Sequence, residues 1–310
     1  MNIIMKSVFG SHLYGTNTEN SDTDYKGIFL PTKNEVLLGK IPKHFNSSTG
    51  GDGKNTKDDI DTEIFSLHEF IKHACNGQTI AFDMLHTPEN MLIETSDIWK
   101  KIVKNKEKFY TKDLKAFFGY ALKQAAKYGI KGSRLTEGER IVNLMMKHNL
   151  EDKMSTIWDE LPISKYGYHV QSSPNNIKQF MINGKIIQET QYIGYAMSIV
   201  DNYIKIYGQR AIDAKENKNI DWKAVSHAIR AALQLKEIYT TSNISYPLKD
   251  ADFLLEVKNG ELDYTTEVAP ELEKLMAEVT KLSEESKFPK KADRKFWDKF
   301  IIDTMKEYVL

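Results

Sequence analysis

Residues 10–31 read GSHLYGTNTENSDTDYKGIFLP and contain two groups able to act on a phosphate ester. Asp22 and Asp24 are one residue apart. On an extended chain alternate side chains share a face, so both carboxylates point the same way with Cα atoms roughly 6.5–7 Å apart. Such a pair can share hard divalent cations, and Mg²⁺ favours a few carboxylates plus substrate phosphates over an all-protein cage. Gly10 and Ser11 offer the complement. Glycine lets a phosphate approach the backbone, and free N–H groups with the Ser11 hydroxyl donate to it. A third acid would complete a two-metal site for in-line displacement at phosphorus. Asp61 and Glu63 share one face of a later alternating segment, and either or both can fill that place.

Singly these residues say little. With 43 acidic residues among 310, chance gives roughly six acid-x-acid pairs, and such pairs also occur in Asx turns and metal-dependent glycosyltransferases. The order carries the weight: strand, Gly-Ser, short helical turn, Ser-Asp-x-Asp, strand, then a third acidic strand.

The positioning elements follow from periodicity. Asn2 to Phe9 reads as a strand ended by Gly10, and Thr23 to Leu30 as a second stopped by Pro31. Asp59 to Phe65 alternates as a third and runs into a helix from Ser66 to Cys75. Between them, NSSTGGDGKNTKD (46–58) is too polar and glycine-rich to pack and predicts a mobile loop. Its Gly53-Lys54 imitates the end of a P-loop, but Ser48 and Asn55 stand where that motif needs Gly and Ser or Thr. From Ser96 helical periods take over. Leu114, Phe117, Phe118, Ala121 and Ala125 form one apolar face, and Tyr192, Ala196, Ile199, Tyr203 and Ile206 another. The tyrosines there, Tyr195 included, read as core rather than stacking platforms. Trp222, Val225, Ile229 and Leu233 mark a helix with Asp221 as N-cap. Val268, Leu272, Leu275 and Val279 mark one more, and Phe296 to Met305 a last. In FMINGKII (180–187), Asn183-Gly184 predicts a type I′ hairpin turn. The expected class is α+β: a small mixed-sheet domain over residues 1–95, then a mainly helical domain over 96–310 that carries the hairpin.

Composition narrows the setting. Hydrophobic residues make up 41% and charged residues 28%, as in soluble globular chains. A lone cysteine, Cys75, excludes an internal disulfide and suits a reducing compartment. No stretch approaches the ~20 apolar residues of a membrane span, and Lys6 interrupts the N-terminal apolar run, so a cytoplasmic protein without membrane association is expected. No HExxH or CxxC spacing occurs, and His68 and His73 are five apart, off a common helical face. Net charge is zero, yet Lys100 to Arg134 holds eleven basic residues and two acids, Glu107 and Asp113. That excess would draw a phosphate-bearing partner, with a solvated lysine-rich helical face as the competing reading. The predominance of lysine suits backbone attraction more than base reading. Lys223, His227 and Arg230 fall at i, i+4 and i+7 on one helical face, where they could clamp phosphates. Structural hydrogen bonding competes equally for His227.

In Gly10-Ser11, Gly15, Ser21-Asp22-Thr23-Asp24 and Gly27-Ile28-Phe29 the chain resembles DNA polymerase β-type nucleotidyltransferases. More narrowly, residues 10–29 resemble the RNA-ligase-associated (RlaP-type) members. The likeness continues through DTEIFSLHEFIKHA (61–74), FFGYALKQ (117–124), WKAVSHAIRAALQL (222–235) and LLEVKNGE (254–261), nearly the whole chain. The first block is the specific one. Ser226 and Ala231 depart from the commoner pattern of their helix. The resemblance implies a nucleotidyltransferase domain followed by a substrate-binding domain, with Asp22 and Asp24 as metal ligands. It makes Asp61 or Glu63 a third ligand or the base on the attacking hydroxyl. Gly10 and Ser11 would hold the triphosphate of an NTP, with Lys223, His227 and Arg230 as further nucleotide contacts. It further implies Mg²⁺ or Mn²⁺ as cofactor and NMP transfer to an acceptor hydroxyl. The expected acceptor is an RNA end, in RNA repair or processing alongside an RNA ligase. A protein side chain or small molecule is the alternative acceptor. A catalytically silent nucleotide- or RNA-binding module is a further alternative, against which the intact Ser11, Asp22 and Asp24 argue.

Overall fold

Two β-prone segments near the N-terminus pair around a helical turn and set the frame for everything that follows. The computed structural model describes residues 1–310 except 51–56, 113, 115, 116, 118, 120–131, 165, 216, 217 and 219; for 132–136, 207 and 209–215 it describes backbone only. The chain divides into two compact units, Met1–Lys127 with Asp221–Leu262 and Pro270–Leu310, and Tyr128–Ile220 with Asp263–Ala269.

In the first unit, β1 (Asn2–Phe9) leads through α1 (Gly10–Tyr14) into β2 (Thr23–Leu30). Then come α2 (Lys33–Leu37), β3 (His44–Ser48), β4 (Ile60–Ser66), α3 (Leu67–Cys75), α4 (Thr79–Leu85), β5 (Leu92–Thr95) and α5 (Asp97–Lys104). Among the described residues five strands form one sheet in the order β3-β4-β2-β1-β5. The β2–β4 pair is parallel and the others antiparallel, which gives the mixed sheet expected from the sequence. Parallel pairing needs a crossover, and the stretch from α2 through β3 supplies it. Ser66 ends β4 and caps α3 by accepting from the Glu69 N–H at 3.3 Å. This reversal buries Leu67, Phe70, Ile71 and Ala74 of α3, as Ile28 and Phe29 of β2 and Phe82 of α4 are buried. Each fully buried side chain of this size contributes about 1.5–3 kcal/mol.

The second unit contains α6 (Gly132–Met145), the meander β6 (Gly167–Val170), β7 (Gln179–Ile182) and β8 (Lys185–Gln188), and α7 (Ile193–Lys215). Asn183 and Gly184 take φ of 51° and 81°, the consecutive left-handed pair a type I′ turn demands. Its core gathers Ile141, Met145, Trp158, Phe180, Ile187, Ile193, Ala196 and Val200. The chain then returns to the first unit with α8 (Trp222–Thr241) and α9 (Ala251–Asn259), followed by α10 (Ala269–Glu285) and α11 (Arg294–Tyr308). Among the described residues no helix is long and apolar enough to cross a membrane.

Three expectations need correction or bounding. The buried stripe of α7 is Ile193, Ala196 and Val200, while Tyr192 and Tyr195 are 53% and 60% exposed. Tyr192 precedes the helix and pairs with Lys153 in a β-bridge, its ring under the Lys153 ammonium at 3.5 Å, so it is no core residue. The polar segment from Asn46 begins inside β3, whose residues are all exposed. An edge strand is held by backbone pairing to β4, so polar side chains do not prevent it. The Gly53-Lys54 pair, Phe118, Ala121 and Ala125 lie outside the described residues, as does most of the basic tract beyond Lys112; Leu114 and Phe117 are fully buried.

Candidate active site

The junction of β1 and α1 dictates one residue outright. Antiparallel register sets Phe9 opposite Asp24, and Gly10 then turns with φ of +64°. A Cβ built on Gly10 would fall onto the Asp24 carboxylate. Glycine is therefore required twice, for its backbone and for the space it leaves. Gly10→Ala is expected to cost about 1–2 kcal/mol from the backbone alone and to displace Asp24, weakening Mn²⁺ binding. Urea unfolding and titration calorimetry measure the two; unchanged values for both would mean the junction relaxes freely.

Asp22 stands just before β2. The turn ahead of it is closed by the Thr18 N–H donating to Ser21 Oγ at 2.9 Å and the Ser21 N–H donating to the Thr18 carbonyl at 3.0 Å. The Thr23 N–H then donates to the Asp59 carbonyl at 3.0 Å, which starts the parallel ladder of β2 with β4. In that ladder Asp24 pairs with Asp61 and Lys26 with Glu63. One oxygen from each of Asp22, Asp24 and Asp61 lies within 4.8 Å of the other two. Glu63 is not in this cluster; its carboxylate takes the Lys26 ammonium at 2.8 Å. Burial, then the charge of Asp22 and that of Asp61, raise the Asp24 carboxyl above the ordinary carboxylate range, against Lys26 and His12. Three crowded carboxylates are a site that a divalent cation would relieve, and an all-oxygen donor set suits Mg²⁺ or Mn²⁺. The buried Ser11 hydroxyl has no hydrogen-bond partner among the described residues, as a donor awaiting a ligand would.

These groups line one cavity of about 460 Å³ in the first unit. It gathers Gly10, Ser11, Asp22, Asp24, Asp61, Lys223, His227 and Arg230, every residue singled out in the sequence except Glu63. The helical residues arrive there because Asp221 caps α8, accepting from the Ala224 N–H at 3.0 Å, and Val225, Ala228, Ile229, Ala232 and Leu235 bury its opposite stripe. Lys258 of α9 joins them. Burial, with the charges of Arg230, Lys223 and Lys258, pushes the His227 imidazole down to about 4. At neutral pH it is an uncharged hydrogen-bonding ring beside cations.

Sequence reasoning missed Asp83. Its carboxylate is buried on α4 and accepts from Tyr14 Oη at 2.8 Å and Tyr246 Oη at 2.6 Å. It also accepts from Gln234 Nε2 at 2.8 Å and Arg230 Nη1 at 3.3 Å. The Arg230 guanidinium lies 4.0 Å over the Tyr14 ring and donates as well to Gln234 Oε1 at 3.3 Å. Burial opposes the arginine charge, but Tyr14, Asp83 and Tyr246 push its pKa up overall. Burial first, and the Asp83 charge with it, keep the Tyr246 phenol protonated and donating. The available signal was an acid inside the apolar run IAFDML, because a buried carboxylate must be partnered.

Residues 1–309 match the RlaP family, the RNA repair pathway DNA polymerase beta family. The chain belongs to that family. An uncharacterized 38.9 kDa protein of Enterobacteria phage T4, from the nrdC-mobD intergenic region, is 37% identical over 326 aligned positions, covering 97% of this RlaP chain and 96% of the phage protein. A solved nucleotidyltransferase-like protein from Exiguobacterium sibiricum aligns with 99% of the chain and 74% of its own length at 8% identity and a TM-score of 0.25, too loose to bear on the site. The resemblance carried by the Gly-Ser and Ser-Asp-x-Asp block is thus one of whole-chain membership, and the RlaP family is of the DNA polymerase beta, nucleotidyltransferase type.

Proposed function

We propose that this RlaP protein transfers a nucleoside monophosphate from an NTP to the hydroxyl of an RNA end, releasing pyrophosphate. The observation that carries this reading is the three-carboxylate cluster sharing a cavity with an unpartnered hydroxyl and several cations. Asp22, Asp24 and Asp61 would hold Mg²⁺ or Mn²⁺; Asp61 is preferred over Glu63 because its carboxylate oxygen lies within the cluster. When bound, the ions supply charge neutralisation at the α-phosphate and leaving group and activation of the acceptor hydroxyl. Ser11 Oγ donates to the triphosphate, and Gly10 leaves the space that seats the Asp24 carboxylate beside it. Lys223, Lys258 and Arg230 attract the charge of the departing pyrophosphate, and neutral His227 orients by hydrogen bonding rather than by charge. Lys26, fixed by Glu63, lines the same cavity.

RNA as acceptor draws support from the RNA repair setting of the family description and from the basic stretch beginning at Lys100. That setting also makes an RNA ligase the natural partner activity on the same ends. Incubating the full chain with each α-labelled NTP, Mg²⁺ or Mn²⁺, and separate RNA and protein pools tests the reading. Label should enter RNA with a preferred NTP, with pyrophosphate released and no transfer in excess chelator. Label entering only protein would move the acceptor to a side chain. No transfer under any combination, with NTP still bound, would leave a silent binding module.

A further inference from the structure

A second cavity of the first unit, about 870 Å³, is lined by Gln78, Lys290, Lys291, Arg294 and Lys295 among others, and the nucleotide chemistry above uses none of these residues. Among its described lining residues the only acid is Asp293, and that carboxylate is engaged. Its Oδ1 accepts from the Phe296 N–H at 3.1 Å to cap α11, and its Oδ2 lies 3.8 Å from Lys108 Nζ. In a chain of zero net charge the cavity is thus a concentrated cationic site.

It is also a built one. The Lys112 N–H donates to the Pro289 carbonyl at 2.8 Å and the Asp293 N–H to the Lys108 carbonyl at 2.9 Å, which fasten the 289–293 segment to the 108–112 segment. Phe109 and Trp297, both fully buried, stack with centroids 4.0 Å apart and planes within 3°. Arg294 donates to Asn76 Oδ1. The exposed lysines therefore project from a fixed backbone that already carries Lys108 and Lys112 of the other basic stretch. Chiefly through burial, the Cys75 thiol on the cavity wall is pushed up to about 11, so it stays protonated and provides neither nucleophile nor soft metal ligand. Charge and hydrogen bonds are what this cavity offers.

The two cavities meet along the chain. Gln78 lines the basic one, and the next residues, Thr79 and Ile80, line the aspartate cavity. Neighbouring Cα atoms are about 3.8 Å apart, so the peptide from Gln78 to Thr79 joins the wall of one cavity to the wall of the other. We infer that the cavity formed by Gln78, Lys290, Lys291, Arg294 and Lys295 holds the phosphate backbone of the RNA acceptor strand behind the end being modified. This rests on the RNA-acceptor reading. Lysine predominance suits grip on phosphates without base reading.

The test is anisotropy of labelled single-stranded RNA of about 12 nucleotides, with the full chain and a Lys290→Gln/Lys291→Gln/Lys295→Gln variant, across a salt series. All three residues are exposed, so the variant should melt like the parent and bind Mg²⁺–NTP equally. RNA affinity at low salt should fall ~10-fold for every sequence alike, and the slope of log affinity against log salt should flatten by about 2. If the parent binds RNA and the variant matches it in affinity and slope, the cavity assignment is overturned and the acceptor reading stands. A parent that binds NTP but no RNA overturns both. Preference for polyglutamate over RNA, lost in the variant, would make the occupant an acidic polypeptide and overturn RNA as the ligand.

Discussion

Replacing Asp24 with asparagine, or Asp22 with alanine, is expected to abolish nucleotidyl transfer, a loss of ~10³-fold or more, while the chain stays folded. The proposed chemistry needs all three carboxylates to hold cations, and among the described residues they form the acidic group whose oxygens lie within 4.8 Å of one another. Without cations the same carboxylates repel, and Asp24 is already raised by burial and its neighbours. Removing one charge should therefore leave the urea midpoint of the metal-free protein unchanged or slightly higher. Glu63→Gln provides the contrast. It breaks the ion pair to Lys26 without touching the cluster, so it should reduce transfer far less. Asp24→Asn with near-parental transfer, or Glu63→Gln as damaging as Asp24→Asn, would remove the metal assignment.

The contrast between Asp61 and Glu63 marks where reading the sequence stops. Period-two alternation puts both acids on one face of β4, and nothing in that pattern separates them. Separation comes from register, because Asp24 pairs with Asp61 while Lys26 pairs with Glu63. Register is a long-range property. Strands β1, β2 and β4 were legible because they alternate and end at glycine, proline or a cap; β3 was not, because an edge strand needs no apolar side chain. The face of α8 that carries Lys223, His227 and Arg230 followed from 3.6-residue spacing, whereas of the stripe from Tyr192 to Ile206 packing kept Ala196 and Ile199 against the core and left Tyr192 and Ile206 exposed. There the bridge at Tyr192 starts the helix one residue later and turns Ile193, Ala196 and Val200 inward. Gly10 read as a turn glycine. That it also makes room for the Asp24 carboxylate could be seen only in three dimensions. Asp83 was hidden more deeply, since its partners lie 69 to 163 residues away in sequence.

Asp83 is also where the largest loss of stability is expected. Asp83→Ala leaves the Arg230 guanidinium buried beside Tyr14 with no countercharge and takes the acceptor from Tyr14, Tyr246 and Gln234. Breaking a buried pair by removing one partner costs about 3–5 kcal/mol, readable as a fall in the urea midpoint by circular dichroism. The double change Asp83→Leu/Arg230→Met removes both charges at similar volume, so it should recover the part of the loss due to the uncompensated Arg230 charge, while the donors of Tyr14, Tyr246 and Gln234 still lack the Asp83 acceptor. Recovery of fold separates the two functions of the network. If Arg230 serves only to satisfy Asp83, the double variant should bind Mg²⁺–NTP like the parent. If, as proposed, the network holds Arg230 in the cavity for the nucleotide's phosphates, the refolded double variant should still bind Mg²⁺–NTP at least ~10-fold more weakly, the worth of one charge-assisted hydrogen bond. An Asp83→Ala variant with parental stability would mean that water replaces the carboxylate and that Arg230 is not held by it.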